Sequence, residues 1–261
     1  MKEKVISGRN NDFITEICKL KQKKHRNRTG LFYVEGIKLL KEVLNSDYKK
    51  NIKYIIYAGE LPPPLRGAPL GEGGFVAVTK DVYKKITDEE AFEGVMCVIE
   101  KPIRESSLSY EKPVIILSSV RDPGNAGTII RTADAICDVD IIISDDCADI
   151  YSSKTQRAAM GAVFRQNIKI SENIKEDIEN LKKNGYNIFA AHLDKNSRFI
   201  DEVKFNSKTA AVFGNEGNGL DDEIVKACDE KIIIPINQNS ESLNVSVAAG
   251  IVMWEIRKGM I

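Results

Sequence analysis

Residues 113–144 read PVIILSSVRDPGNAGTIIRTADAICDVDIIIS. The stretch opens on a continuous apolar run, PVIILSSV, of the kind that a parallel strand covered on both faces needs. It closes on a second run, DVDIIIS. Between them the pattern predicts a helix over 125–136, entered through a turn that contains Pro123, Gly124 and Gly127, with Arg131 following inside the helix. Strand, helix and strand in this order form a parallel crossover unit. The turn can cradle an anionic group or serve as a plain connection, because a glycine there supplies backbone freedom in either case.

The same alternation continues outward. Strand NIKI, helix ENIKEDIENLKKNG, strand YNIFAAH, strand KTAAVFG, a helix near LDDEIVKAC, strand KIIIPI and a last helix from about Asn244 to Lys258 follow the helix SKTQRAAMGAV. Alternation of this kind predicts a parallel sheet with helices on both faces. Before residue 100 lies a second set: a helix over 12–24 capped by Asp12, strand RTGLFYVEG, helix IKLLKEVLNS, and strands KYIIYA, FVAVT and GVMCVIE, with helix KDVYKKIT among them. The Pro- and Gly-rich stretch ELPPPLRGAPLGEGG reads as a loop. The polar stretch 101–112 reads as a connection, so the expected organisation is a first domain at 1–102, a linker at 103–112 and a second domain at 113–261.

Composition narrows the class. A hydrophobic fraction of 43% and a charged fraction of 29% over 261 residues fit one large or two small globular domains. No apolar run nears the roughly 18–20 residues that span a bilayer, and the charged start MKEKVISGRN does not read as a secretory leader. The five cysteines (18, 97, 137, 147 and 228) form no C-x-x-C pair, which favours reduced thiols and a cytoplasmic location. His25 and His192 are too few and too far apart to predict a metal site. Net charge is zero, yet residues 1–28 hold nine Lys/Arg against three acids. This local +6 reads either as a solvated helix face or as a polyanion-binding face, with Lys21, Lys23, Lys24, Arg26 and Arg28 as candidates.

Parallel sheets bind ligands beyond the carboxyl ends of their strands. Three loops there are rich in Gly, Asn and Ser: RDPGNAGTIIRTADA, FGNEGNGL and IPINQNSESLNVSVAAG. Asn125 and Asn244 can each cap a helix. None of the loops is a dinucleotide fingerprint, since GNEGNG has the wrong glycine spacing and places the carboxylate of Glu216 where a pyrophosphate would sit. None is a P-loop or a nucleophile elbow. The donor set suits a ligand held by backbone amides and carbonyls.

In this order the three loops resemble the three signature motifs of the SpoU (TrmH) branch of the SPOUT RNA methyltransferases. The likeness covers about residues 113–261. The segment LKQKKHRNRTGLFYVEGIKLLKEVL is similar to the small RNA-binding domain that precedes the methyltransferase in many rRNA-directed members. The resemblance implies a fold of class α/β: a small N-terminal α/β/α RNA-binding domain, then a parallel-sheet α/β domain with a C-terminal trefoil knot. It implies S-adenosylmethionine as cofactor, a homodimer, and methyl transfer to a ribose 2′-hydroxyl, with 23S rRNA as the leading substrate. Phe213, Gly214, Asn215, Gly217, Ile234, Pro235, Ile236 and Leu243 match cofactor-binding positions. Asn125, Arg131, Glu216, Ser242 and Asn244 match the polar positions around the methyl donor and target ribose. One departure is Ser153, where relatives commonly carry Pro before the lysine.

Chemically, methyl transfer from a sulfonium is an in-line displacement in which alignment supplies much of the acceleration, and the weakly nucleophilic hydroxyl gains from proton removal. Two roles are open to Arg131. It can lose its proton beside Asn244 and act as a base, or stay charged, hold an RNA phosphate and stabilise the developing alkoxide. The second is favoured, because a guanidinium is a poor base. Two other readings of the chain are a tRNA ribose methyltransferase of the same family and a non-catalytic RNA-binding or assembly protein with the same fold.

Overall fold

The computed structural model describes residues 5–68, 73–102, 108–237, 239 and 241–261. Part of the expected 60–74 loop (69–72) and the first half of the expected linker (103–107) lie outside the described residues. The chain forms two compact units, Met1–Ile103 with Tyr151–Phe164, and Arg104–Ile150 with Arg165–Ile261.

The first unit is built on strands β1 (Leu31–Glu35), β2 (Ile52–Ala58), β3 (Gly74–Val78) and β4 (Val95–Glu100), in the spatial order β1-β4-β2-β3. β4 runs antiparallel to both β1 and β2, while β2 and β3 are parallel. Successive side chains of a strand face opposite sides. Tyr33, Ile56, Met96 and Val98 therefore meet helices α1 (Asp12–Lys19) and α4 (Lys80–Ile86) through Ile14, Ile17, Val82 and Ile86. Phe32 faces the other way. Its ring lies 6.2 Å from Tyr48 and 4.6 Å from Tyr151, and Tyr48 lies 5.2 Å from Phe164. Helix α3 (Ile37–Leu44) and the distant segment carrying α6 (Ser153–Ala159) cover that face, and the Gln156 amide donates to the Tyr33 carbonyl at 3.1 Å.

The helix expected over 12–24 divides into α1 and α2 (Lys23–Thr29), and the cap of α1 is Asn11 rather than Asp12. Asn11 Oδ1 accepts from the Ile14 amide, leaving Asp12 in the first turn. The break at 20–22 is fixed by Arg26. Its guanidinium, only 4% exposed, donates to the carbonyls of Leu20 at 2.7 Å and Lys21 at 2.8 Å, groups that a helix end otherwise leaves unpaired. Gly30 then stops α2 at φ +68°.

Glu35 is an outlier in this core. It is 6% exposed, and its Oε1 accepts from Tyr83 at 3.0 Å and Thr87 at 2.5 Å, while Oε2 is buried with no partner. Burial pushes its carboxyl up from the usual range, against the opposing effect of the Thr87 and Tyr83 hydroxyls. A carboxyl raised on folding stabilises the fold most below its unfolded pKa, and that contribution is lost as pH rises through the folded pKa. Glu35→Gln, which keeps the shape and removes the titration, is therefore expected to gain stability relative to the wild type as pH rises from 5 to 8. Amide hydrogen exchange in β1 and β4 measures this locally. A variant-to-wild-type difference that stays constant over that range would show an unperturbed carboxylate.

The second unit is an all-parallel sheet. Its strands are β5 (Val114–Leu117), β6 (Asp140–Ser144), β7 (Ile168–Ser171), β8 (Asn187–Ala191), β9 (Arg198–Phe199), β10 (Thr209–Phe213) and β11 (Glu230–Ile233), in the order β7-β6-β5-β10-β8-β11-β9. Val114, Ile116, Ile142, Ile188 and Val212 pack against Ile174, Ile178 and Leu181 of α7 (Ile174–Lys183), with α8 (Asp222–Ala227) beside it. Helices α5 (Pro123–Ile136) and α9 (Val245–Lys258) pack on each other, and α9 also meets β10. Each fully buried aliphatic side chain of these clusters contributes about 1.5–3 kcal/mol. β5 pairs with β10, about a hundred residues later in the chain, so the loops after these two strands emerge side by side.

Candidate active site

Each of the three marked loops follows a strand that ends at the same edge of this sheet. The first enters α5, whose start lies two residues earlier than the sequence predicts. Asp122, not Asn125, is the cap: Asp122 Oδ1 accepts from the Asn125 amide at 2.8 Å, and Pro123 takes the first helical position. Asn125, released from capping, turns its side chain to another partner. The third loop ends at α9, where Asn244 is the cap as expected, its Oδ1 accepting from Ser246 N at 2.9 Å, Val247 N at 3.4 Å and Ser246 Oγ at 2.6 Å.

Those bonds fix the orientation of the Asn244 amide. With Oδ1 occupied, Asn244 Nδ2 donates to Asn125 Oδ1 at 3.0 Å, and Asn125 Nδ2 in turn donates to Glu216 Oε1 at 2.8 Å. A directed chain of two amides and one carboxylate thus joins all three loops, although its members lie 91 and 119 residues apart. Glu216 and Asn244 are exposed and Asn125 is half-buried. Arg131 is exposed on α5, two turns beyond Asn125, and takes no part in this chain.

The second loop is a closed turn. Asn215 N donates to the Gly219 carbonyl and Gly219 N to the Asn215 carbonyl, both at 2.9 Å. Asn215 Oδ1 accepts from Gly217 N at 2.9 Å and Asn218 N at 3.2 Å, and its Nδ2 donates to the Ser119 carbonyl at 3.0 Å. Gly214 has no room for a side chain: a Cβ there would lie 2.3 Å from the Gly219 carbonyl carbon and oxygen and 2.5 Å from Leu220 N.

Beside this turn is a cavity of about 600 Å³. Seven of the eight expected cofactor positions (Phe213, Gly214, Asn215, Gly217, Ile234, Ile236 and Leu243) line it, and so do Glu216, Ser242 and Asn244. Pro235 lies between two lining residues but is not itself one. The lining also includes Ala191, His192 and Leu193 from the end of β8, which the sequence reading missed. That loop carries no Gly or Asn cluster. Its one legible signal is its place after a parallel strand. The cavity has apolar walls, a backbone-rich turn at one side and carboxylates at Glu216 and Glu241. Its size is typical of a small-molecule site, and it suits an amphipathic, positively charged ligand.

The basic candidates divide. Lys23, Lys24 and Arg28 are exposed. Lys21 is half-buried, with Nζ 2.9 Å from Asp88 and donating to the Thr87 carbonyl at 2.8 Å. Arg26 does not present its charge to a polyanion, contrary to expectation, because its guanidinium is buried on the carbonyls that end α1. Among the described residues there is no group of three or more potential metal ligands, and no helix is long and apolar enough to cross a membrane.

Fold and site together define a two-unit α/β protein with a small-molecule cavity and an amide–carboxylate cluster at the strand ends of a parallel sheet. Residues 112–254 match the SpoU rRNA Methylase family, and residues 11–97 match the MRM3-like substrate binding domain. The chain belongs to the SpoU rRNA methylase family. It is 30% identical to the 23S rRNA (guanosine(2553)-2′-O)-methyltransferase RlmP of Bacillus subtilis, over 97% of this chain and 99% of that protein. An AdoMet-bound rRNA methyltransferase from Sinorhizobium meliloti superposes with a TM-score of 0.87 at 30% identity, covering 100% of each chain. The A. aeolicus TrmH/SpoU tRNA modifying enzyme has a TM-score of 0.50 at 31% identity and covers 57% of this chain and 75% of its own.

Proposed function

We propose that this protein transfers a methyl group from S-adenosylmethionine to a ribose 2′-hydroxyl of 23S rRNA. One observation carries the reading: the hydrogen-bonded chain Asn244–Asn125–Glu216 borders the strand-end cavity, in a member of the SpoU family. The cofactor supplies an electrophilic methyl group on a sulfonium. Phe213, Gly214, Asn215, Gly217, Ile234, Ile236 and Leu243 would hold it, with Pro235 stiffening the segment between its neighbours. The turn offers backbone groups, the isoleucines an apolar wall, and Glu216 a charge opposite to that of the sulfonium.

Asn125, Asn244 and Ser242 orient the target ribose, and Glu216, anchored at one oxygen by Asn125, receives the hydroxyl proton. Arg131 stays charged, binds an RNA phosphate through its planar fork and stabilises the developing alkoxide. The first domain, 1–102, binds the RNA, with exposed Lys23, Lys24 and Arg28 on its phosphates; such affinity falls as salt rises. The linker 103–112 joins it to the catalytic domain, 113–261. The trefoil knot of the family is assigned to the end of that domain; insertion of β10 between β5 and β8 and the return of α9 to α5 support it. A homodimer in the cytoplasm completes the reading. The exposed, apolar Val247 and Trp254, seven residues apart on α9, support the dimer.

Coverage favours rRNA over tRNA: the rRNA-directed relatives align along nearly the whole chain, the tRNA-modifying enzyme along little more than half. Mapping 2′-O-methyl positions in total RNA with and without the gene tests this. One 23S position is expected to disappear in the deletion. A position lost from tRNA instead would move the assignment to the tRNA branch. No lost position, together with no heat of binding from S-adenosylmethionine, would leave the non-catalytic reading.

A further inference from the structure

The loop that leads from β5 into α5 contains a conformation that needs explaining. Ser119 has φ +59°, and among the described residues only Tyr110 and Met160 are other non-glycine residues with positive φ. A residue with a Cβ occupies this region at a cost of about 1–2 kcal/mol. It persists only where its surroundings hold it.

Every polar group of Ser119 is engaged. Its amide donates to Ser144 Oγ at 2.9 Å, its hydroxyl donates to Asp146 Oδ2 at 2.7 Å, and its carbonyl accepts from Asn215 Nδ2 at 3.0 Å. Ser144 Oγ in turn donates to Asp146 Oδ1 at 2.6 Å. Arg121 Nη2 donates to Asp146 Oδ2 at 3.1 Å. Both oxygens of Asp146 are thus occupied; one donor is the Ser119 hydroxyl itself, and another, Ser144 Oγ, is the acceptor of the Ser119 amide. A second tie, from Ala148 N to the Val120 carbonyl at 2.9 Å, keeps the loops after β5 and β6 together. Partial burial works to raise the Asp146 carboxyl, but the Ser144, Ser119 and Arg121 donors outweigh it and hold the group below its usual range.

We propose that Asp146 is a positioning residue for methyl transfer. Through Ser119 it fixes Asn215, and through Asn215 it fixes the turn that carries Glu216 and forms one wall of the cofactor cavity. The assignment rests on the function proposed above. If Ser119 relaxed to negative φ, the peptide that follows it would rotate and its carbonyl would leave Asn215 Nδ2. Asn215 would then lose the anchor that orients its amide, and with it the registry of Gly217 N and Asn218 N on Oδ1. Glu216 lies between these residues and receives the Asn125 amide, so the displacement reaches the directed chain of the site. Asp146 touches neither ligand directly in this scheme and acts entirely through Ser119.

The test is a cycle of three variants: Asp146→Ala, Ser119→Gly and the double substitution. Glycine takes positive φ without a clamp, so Ser119→Gly makes the brace unnecessary. Asp146→Ala is expected to weaken S-adenosylmethionine binding about tenfold, about 1.4 kcal/mol, and to slow single-turnover transfer. The RNA affinity is expected to stay the same. Ser119→Gly alone is expected to bind as the wild type does, and the double variant to recover most of the loss. The Asn215 side-chain amide resonance, recorded without cofactor, is expected to move in Asp146→Ala and return in the double variant. A purely structural role for Asp146 predicts no such rescue. Wild-type affinity in Asp146→Ala, or a double variant no better than Asp146→Ala with Asn215 unmoved, overturns the proposal alone. Absence of S-adenosylmethionine binding by the wild type overturns the functional reading and this role with it.

Discussion

Replacing Arg131 with alanine is expected to lower single-turnover methyl transfer by about 10²–10³-fold, the usual cost of deleting a charge-stabilising donor from an active site. Cofactor binding should stay within about twofold of wild type, because a change of under 0.5 kcal/mol is typical of a surface substitution away from the binding cavity. Arg131 is exposed on α5 and does not line the cavity. Its effect is therefore expected on the RNA side of the reaction. Arg131→Lys keeps the charge but not the planar fork and should recover only part of the rate. Rapid-quench transfer from radiolabelled S-adenosylmethionine measures both variants across pH. Near-normal transfer by Arg131→Ala would remove the residue from the mechanism. A lysine variant that outpaced the wild type at high pH would reassign it as the base, since an ammonium loses its proton far more readily than a guanidinium.

Gly214→Ala carries the second large expectation. The added Cβ would meet three backbone atoms at 2.3–2.5 Å, and backbone cannot swing aside as a side-chain tip can. The Asn215–Gly219 turn must open, which is expected to destabilise the second unit by about 1–3 kcal/mol or more, the range for overpacked sites. The same opening removes the cavity wall, so S-adenosylmethionine binding should fall below detection by calorimetry. Gly217→Ala is the matched control. Its Cβ would meet only Asn215 Oδ1 at 3.5 Å, an ordinary contact, and binding should persist. Equal behaviour of the two variants would show that the turn does not depend on close packing at Gly214.

Much of the fold is legible in the chain because burial writes a period into it. VIIL, DIII and TAAV can be strands only where both faces are covered, and that condition alone predicts the parallel sheet. Local capping is less legible. Asp12 and Asn125 are both plausible caps by residue type, yet Asn11 and Asp122 hold those places. The choice depends on which residue first leaves the helical backbone, and in α5 on Pro123, which fits the first helical turn. The break between α1 and α2 is also invisible locally, since it depends on where the Arg26 guanidinium can reach.

The site divides along the same line. The sequence by itself determined the alternation of strands and helices, the three loops rich in Gly and Asn, and the family to which they point. All of these depend on residue type and spacing along one segment. Only the tertiary structure decided that Asn244 donates to Asn125 and Asn125 to Glu216, that the end of β8 contributes His192 to the cavity, and that Arg26 serves the first unit's interior. It alone showed Asp146 clamping Ser119 behind the Asn215 turn. The Asn125–Glu216, Ser119–Asn215 and Asn125–Asn244 bonds join residues 91, 96 and 119 positions apart, and the first two exist only after the sheet has set β5 beside β10.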